Sequence, residues 1–197
     1  MARFETVAHR WVHVGEAGFG VAVANDSTYG HDITRAPREG GGTVTNVRLS
    51  LLRAPLYPDP EADQGEHTFR VSIRPDSSVA DAVREGYRLN LPARQVVGAG
   101  PVEPLVTVSS DAVVVEAVKL AEDRGGDVIV RLYEAHGGRA QARLAASFAF
   151  DDVIETDLLE REVDAAAVTS ASGESVALTL RPFQIVTLRF LGARGSR

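Results

Sequence analysis

Residues 112–138 read AVVVEAVKLAEDRGGDVIVRLYEAHGG, and the choice between helix and strand for this stretch decides the fold class. Val114, Ala117, Val118 and Ala121 sit at a spacing that also suits one face of a helix. Val113, Val114 and Val115 are β-branched, however, and a glycine pair follows directly, so strand is the better reading. Gly125-Gly126 and Gly137-Gly138 then bracket DVIVRLYEAH as a second strand held between turns. On the N-terminal side LVTVSS adds a short strand. On the C-terminal side ESVALTLRPFQIVTLRFL closes the chain as two short strands kinked at Pro182, a residue tolerated at edges and bends. Strands at this spacing predict a small β-sandwich over residues 105–197.

Before this unit lies VVGAGPVEP, residues 96–104, whose Gly and Pro content reads as a linker. Residues 1–96 form the other expected domain. In FGVAVAND, Phe19, Val21 and Val23 share one face, while Gly20, Ala22 and Ala24 leave the other face low enough for something bulky to approach. VRLSLL (47–52) and FRVSI (69–73) alternate in the same way. One helix is expected from about Ser77 to Leu89: Val79, Ala82, Val83, Gly86 and Tyr87 recur at helical spacing, Ser78 and Asp81 have capping-box spacing, and Pro92 stops continuation. ETVAHRWVHV reads as an extended edge with His9 and His13 on one side. The fold class is therefore mainly β with one short helix.

The chain has 197 residues, 44% of them apolar, with a formal net charge of −6 and no cysteine. That length and apolar content can supply a core, and the absence of cysteine excludes disulfides, thiolate zinc sites and cysteine nucleophiles. Lys and Arg are scattered rather than gathered on one face, so a nucleic-acid partner is not expected. No window reaches the roughly 18 apolar residues of a membrane span, and no stretch has signal-peptide length, which makes a soluble cytoplasmic protein the expectation.

The densest run of titratable groups is PDPEADQGEHTFRVSI (58–73), with Asp59, Glu61, Asp63, Gln64, Glu66 and His67. Glycoside hydrolysis uses two carboxyl groups about 5 to 9 Å apart, a separation that Asp63 and Glu66 could reach. Acids in a proline-rich loop are more often solvated or bonded to turn amides. For a metal, His9, His13, His31, His67 and His136 are the imidazoles on offer, but they form no recognised ligand spacing. There is no Gly-x-Ser-x-Gly elbow, and GEAGFG (15–20) lacks the strand and helix of a dinucleotide loop, so it reads as a β-turn. Trp11 and the tyrosines could stack on a sugar, although core packing is the commoner use.

Five ordered segments carry a wider likeness: FETVAHRWVHVGEAGFGVAVANDSTYGHDI, VRLSLLRAPLYPDPEADQGEHTFRVSI, GYRLNLP, VTVSSDAVVVEAVKLAEDRGGDVIVRLYEAHGG and LTLRPFQIVTLRF. Together they resemble the C-terminal region of glycoside hydrolase family 38, the zinc-dependent α-mannosidases of bacterial and cytosolic type. The resemblance implies the end of a large, supersandwich-like β-sandwich in residues 1–96, followed by the smaller one in 105–197. It also implies that the zinc ligands and nucleophile belong to a separate catalytic domain, so this segment alone would carry no catalytic residue, no metal and no cofactor. The family's ND…YG pattern falls on Asn25, Asp26, Tyr29 and Gly30, and its DQG on Asp63, Gln64 and Gly65. Asn25, Asp26, Tyr29, Asp63 and Gln64 are accordingly candidates for the rim of a mannoside site. Ser27 and Thr28 stand where the family usually has Cys or Lys, which removes any contact a lysine would make. The implied partners are the parent's catalytic domain and a mannoside at the shared rim, with exposed apolar surface and self-association when the segment is alone. The alternative is a stand-alone carbohydrate-binding or interaction module without hydrolase activity.

Overall fold

The structure is a computed structural model that describes residues 5–98, 100–164, 166–173 and 175–195. Phe4 of the first resembling segment and Ala99 of the linker lie outside these residues. In chain order the strands and helix are β1 Thr6–Val7, β2 Trp11–Glu16, β3 Phe19–Asn25, β4 Gly30–Pro37, β5 Thr43–Leu49, β6 Val71–Pro75, α1 Val79–Asn90, β7 Val106–Val108 and β8 Val113–Leu120. The series continues with β9 Val128–Glu134, β10 Ala140–Ala146, β11 Phe148–Ala149, β12 Asp152–Thr156, β13 Val168–Ser172, β14 Ser175–Leu180, β15 Ile185–Leu191 and β16 Arg194–Gly195. The described residues are mainly β with one helix. It divides into two units, Met1–Gln95 and Val96–Arg197.

The first unit holds two three-stranded antiparallel sheets, in orders β1-β4-β5 and β2-β3-β6. Helix α1 packs on β3, and the reason is the small face noted above. Ala22 and Ala24 are completely buried beneath Ala80, Ala82, Val83 and Gly86. Gly86 lets the helix come close here, since a Cβ would sit tightly against the Trp11 ring at 3.0 Å. The helix begins with the predicted box: Ser78 accepts from the Asp81 amide at 3.2 Å, and Asp81 accepts from the Ser78 amide at 3.0 Å. Leu91 caps the far end.

ETVAHRWVHV is not one extended edge. Arg10 takes a φ of 72°, which breaks the segment into β1 and β2 and sends the two strands to different sheets. His9 then packs against Tyr29, while His13 turns to the helix side and pairs through Nε2 with the Ser77 carbonyl at 2.7 Å.

The second unit has two four-stranded antiparallel sheets, β13-β14-β10-β7 and β12-β15-β9-β8, with β11-β16 as a short pair. Inner-facing residues of both four-stranded sheets form one apolar core. Leu132, Val130, Leu188 and Phe190 come from one sheet, Leu144, Val176, Leu178 and Leu180 from the other. Alternation is strict in β10, where Ala140, Ala142, Leu144 and Ala146 are buried and Gln141, Arg143 and Ala145 are exposed. Phe148, Phe150 and Phe190 pack edge to face, with centroids 4.9 to 6.5 Å apart. VVVEAVKL is strand, with a register shift between Val115 and Ala117.

Pro182 does more than kink a ribbon. β14 pairs with β10 while β15 pairs with β9 and β12, so the turn at Arg181–Gln184 carries the chain from one sheet to the other. Glu134 fastens that turn. It is almost wholly buried, and its carboxylate accepts from the amides of His136 at 2.9 Å, Gly137 at 2.8 Å and Phe183 at 2.9 Å. Burial pushes its pKa up, but the surrounding amides outweigh this and hold it below the usual range.

Candidate functional site

The candidate rim residues lie in the first unit. Asn25 ends β3, and its backbone is fixed on both sides: its amide donates to the Arg10 carbonyl at 3.0 Å, and its carbonyl accepts from Asn90 Nδ2 at 2.9 Å. Its side chain is buried, yet neither Nδ2 nor Oδ1 has a hydrogen-bond partner. Such a group costs free energy unless a polar atom reaches it. Asp26 spends its carboxylate on Arg70, accepting from the backbone amide at 3.1 Å and from Nε at 2.8 Å, with Ser27 adding a hydroxyl at 2.9 Å. The Arg70 side-chain bond is the largest cause holding its pKa down at about 2. Tyr29 is half exposed and meets the His9 ring edge-on at 4.9 Å.

Asp63 and Gln64 occupy the long loop between β5 and β6. Asp63 adopts a φ of 61°, a conformation that Asp tolerates; its Oδ2 accepts from the Ala54 amide at 3.0 Å and its carbonyl from His67 Nε2 at 2.9 Å. Gln64 donates to the Pro60 carbonyl at 3.3 Å. These bonds fix the loop on itself. Asp26 and Arg70 tie the loop's exit to the turn after β3; Asp63 and Gln64 are not joined to Asn25, Asp26 or Tyr29 by a hydrogen bond or ion pair among the described residues.

The electrostatics do not resemble an acid/base pair. Among the described residues, every carboxyl whose pKa departs from its ordinary value departs downward, because backbone amides, arginines and, at Glu160, Lys119 stabilise the charged form: Asp26, Asp81, Asp123, Glu134, Asp151, Asp157 and Glu160. A general acid at neutral pH needs the opposite shift. No group of three or more His, Asp or Glu among the described residues is arranged to hold a metal ion. The zinc that the resemblance implies for the parent enzyme therefore does not fit the side chains of the described residues. No helix among the described residues is long and apolar enough to cross a membrane.

Sequence reasoning missed a cleft of about 440 Å³ between the two sheets of the first unit, lined by Val14, Phe19, Val21, Val23 and Val47 with Arg35 and Thr45. The signal was present in the shared face of Phe19, Val21 and Val23. What faces them is contributed by β4 and β5, and period-two alternation does not say which strands will oppose one another.

Comparison with known proteins gives a consistent family. Residues 112–188 match the glycosyl hydrolases family 38 C-terminal beta sandwich domain, and residues 1–61 match the glycosyl hydrolases family 38 C-terminal domain. The chain is 38% identical over 196 residues to Alpha-mannosidase 2C1 of Homo sapiens, an alignment covering 95% of this chain and 18% of the human protein. It is 32% identical over 203 residues to Alpha-mannosidase G of Dictyostelium discoideum, covering 96% and 18%. A solved α-mannosidase from Enterococcus faecalis V583 superposes with a TM-score of 0.62 at 20% identity, over 94% of this chain and 21% of that one. The chain thus spans under a fifth of the length of these curated relatives.

Proposed function

We propose, from the premise that this chain belongs to the C-terminal domains of glycosyl hydrolase family 38, that it serves as a non-catalytic β-sandwich segment of a larger α-mannosidase. The parent would hydrolyse terminal α-mannosidic bonds with retention, in the cytoplasm, using zinc held by a catalytic domain elsewhere in the same chain. In this reading residues 1–96 end the large sandwich and residues 105–197 form the small C-terminal one. The single observation carrying it is the pairing of near-complete coverage of this chain with 18% coverage of the human relative. The downward carboxyl shifts support a supporting role rather than a reacting one.

Of the rim candidates, Tyr29 is half exposed and suited to an aromatic contact with a sugar edge, while the unpartnered amide of Asn25 lies buried at the end of β3. Asp26 acts as the brace of the turn after β3, and Asp63 and Gln64 order their own loop. The deciding experiment assays the isolated chain on an aryl α-mannoside with added zinc. The expected result is no turnover, and zinc-dependent hydrolysis by this chain alone would sink the proposal.

A further inference from the structure

We infer that the turn Arg181–Gln184 is a carbohydrate-binding platform, on which Phe183 stacks against the C–H face of a mannoside. The choice of sugar rests on the reading above, whereas the platform rests on the geometry of the turn. The rim candidates all lie in the first unit, and this turn lies in the second. Phe183 breaks a packing rule that its unit otherwise keeps. Phe148 and Phe190 are buried in the core, but Phe183 is 71% exposed. It also takes a φ of 56°, a left-handed conformation that is costly for an aromatic residue. Strain of this kind persists only where the surroundings over-determine it, and it gathers at binding sites.

The over-determining group is Glu134. Its buried carboxylate accepts from the Phe183 amide and from those of His136 and Gly137, so one acid joins the loop after β9 to the turn before β15. Gly137 then makes room for the ring. A Cβ there would meet Phe183 Cζ at 2.6 Å and Cε2 at 3.1 Å, so the tip of the ring rests on bare backbone while most of the residue stays open to solvent. The polar groups of the turn are set as well. Gln184 Oε1 accepts from the Arg181 amide at 2.9 Å and from Arg181 Nε at 3.4 Å, which leaves Gln184 Nε2 as an oriented donor. Arg181 and His136 are exposed. A preorganised ring with planar polar groups around it suits a neutral sugar, which offers C–H bonds to the ring and hydroxyls to the donors. Size decides against a protein as the occupant. An aromatic side chain buries about 200 Å² when covered, so the open share of Phe183 is about 140 Å², far below the roughly 800 Å² per partner of a stable protein interface. Ile185, 59% exposed, enlarges the patch only slightly.

The test is an NMR titration of the chain with methyl α-mannoside, read at the backbone amides of the native sequence, Phe183→Ala and Phe183→Trp. Saturable shifts are expected at His136, Gly137, Gly138, Phe183 and Gln184, with a Kd on the order of millimolar. Phe183→Ala should weaken binding about tenfold or more, and Phe183→Trp, which keeps a ring, should stay within about threefold of the native chain. Because the residue is exposed, Phe183→Ala should leave the Tm within about 2 °C. An absence of saturable shifts at these amides overturns the inference, as does binding that Phe183→Ala leaves unchanged. Shifts confined to Asn25, Asp26 and Tyr29 overturn the platform and favour the rim. A chain that light scattering finds dimeric and that Phe183→Ala renders monomeric makes a second copy the occupant, and overturns the platform too. A Phe183→Ala chain that does not fold shows the ring to be a packing element, with the same consequence. Zinc-dependent hydrolysis by this chain alone overturns the reading of a non-catalytic segment instead, and the titration still judges the platform.

Discussion

Asp26 looks at first like a candidate for chemistry, and its bonds give it another task. Its carboxylate holds the backbone amide and the guanidinium of Arg70, so the turn after β3 and the start of β6 are fixed to each other. The sign of its pH dependence follows. The pKa falls from 3.8 when unperturbed to about 2 in the fold, so its contribution is complete above the unperturbed value and is lost as pH drops from there through about 2. The Tm difference between the native chain and Asp26→Asn should be constant at neutral pH and shrink across that acid window; thermal melts at several pH values measure it. A difference that persists at pH 2 would mean that Asp26 acts through packing rather than charge. Residues of this kind were partly legible. Asn25, Asp26 and Tyr29 stand close together in sequence, around the turn after β3. Glu134 was invisible, because one of the amides it accepts from belongs to Phe183, 49 positions away, and no local pattern announces such a bond.

At the scale of elements, the helix and most strands could be read because their signals are local. The Ser78–Asp81 box and the β-branched run at Val113–Val115 act within a few residues, and both elements formed as expected. Partner choice could not be read. The bend at Arg10 has a non-glycine residue in a left-handed conformation, and the sheet change at Pro182 depends on strands dozens of residues apart. Tight element contacts give a sharper prediction. A Cβ on Gly20 would collide with the Ser77 carbonyl and the His13 ring, at the place where the Ser77 amide donates to Gly20 at 3.0 Å. Gly20→Ala should therefore cost about 2 kcal/mol by overpacking against backbone. Gly138→Ala, where nothing lies within 4 Å of the added carbon, should be nearly neutral. Urea unfolding of the two variants decides between them.

For the whole molecule, the two compact units meet in sequence at Gln95 and Val96, and Val96, Val97 and Val102 are strongly exposed there. Brief elastase treatment should cut within 96–105 first and leave two resistant fragments. First cuts inside β9 or β15 would contradict an independently packed second unit. The order of strands in that unit also bears on how the protein is made. β15, residues 185–191, is among the last strands in the chain yet lies inside its sheet, hydrogen-bonded to β9 on one side and β12 on the other. Until a ribosome has translated past Leu191, β9 and β12 are raw edges with no neighbour between them, and nascent chains stalled short of it are ready substrates for chaperones or for edge-to-edge aggregation.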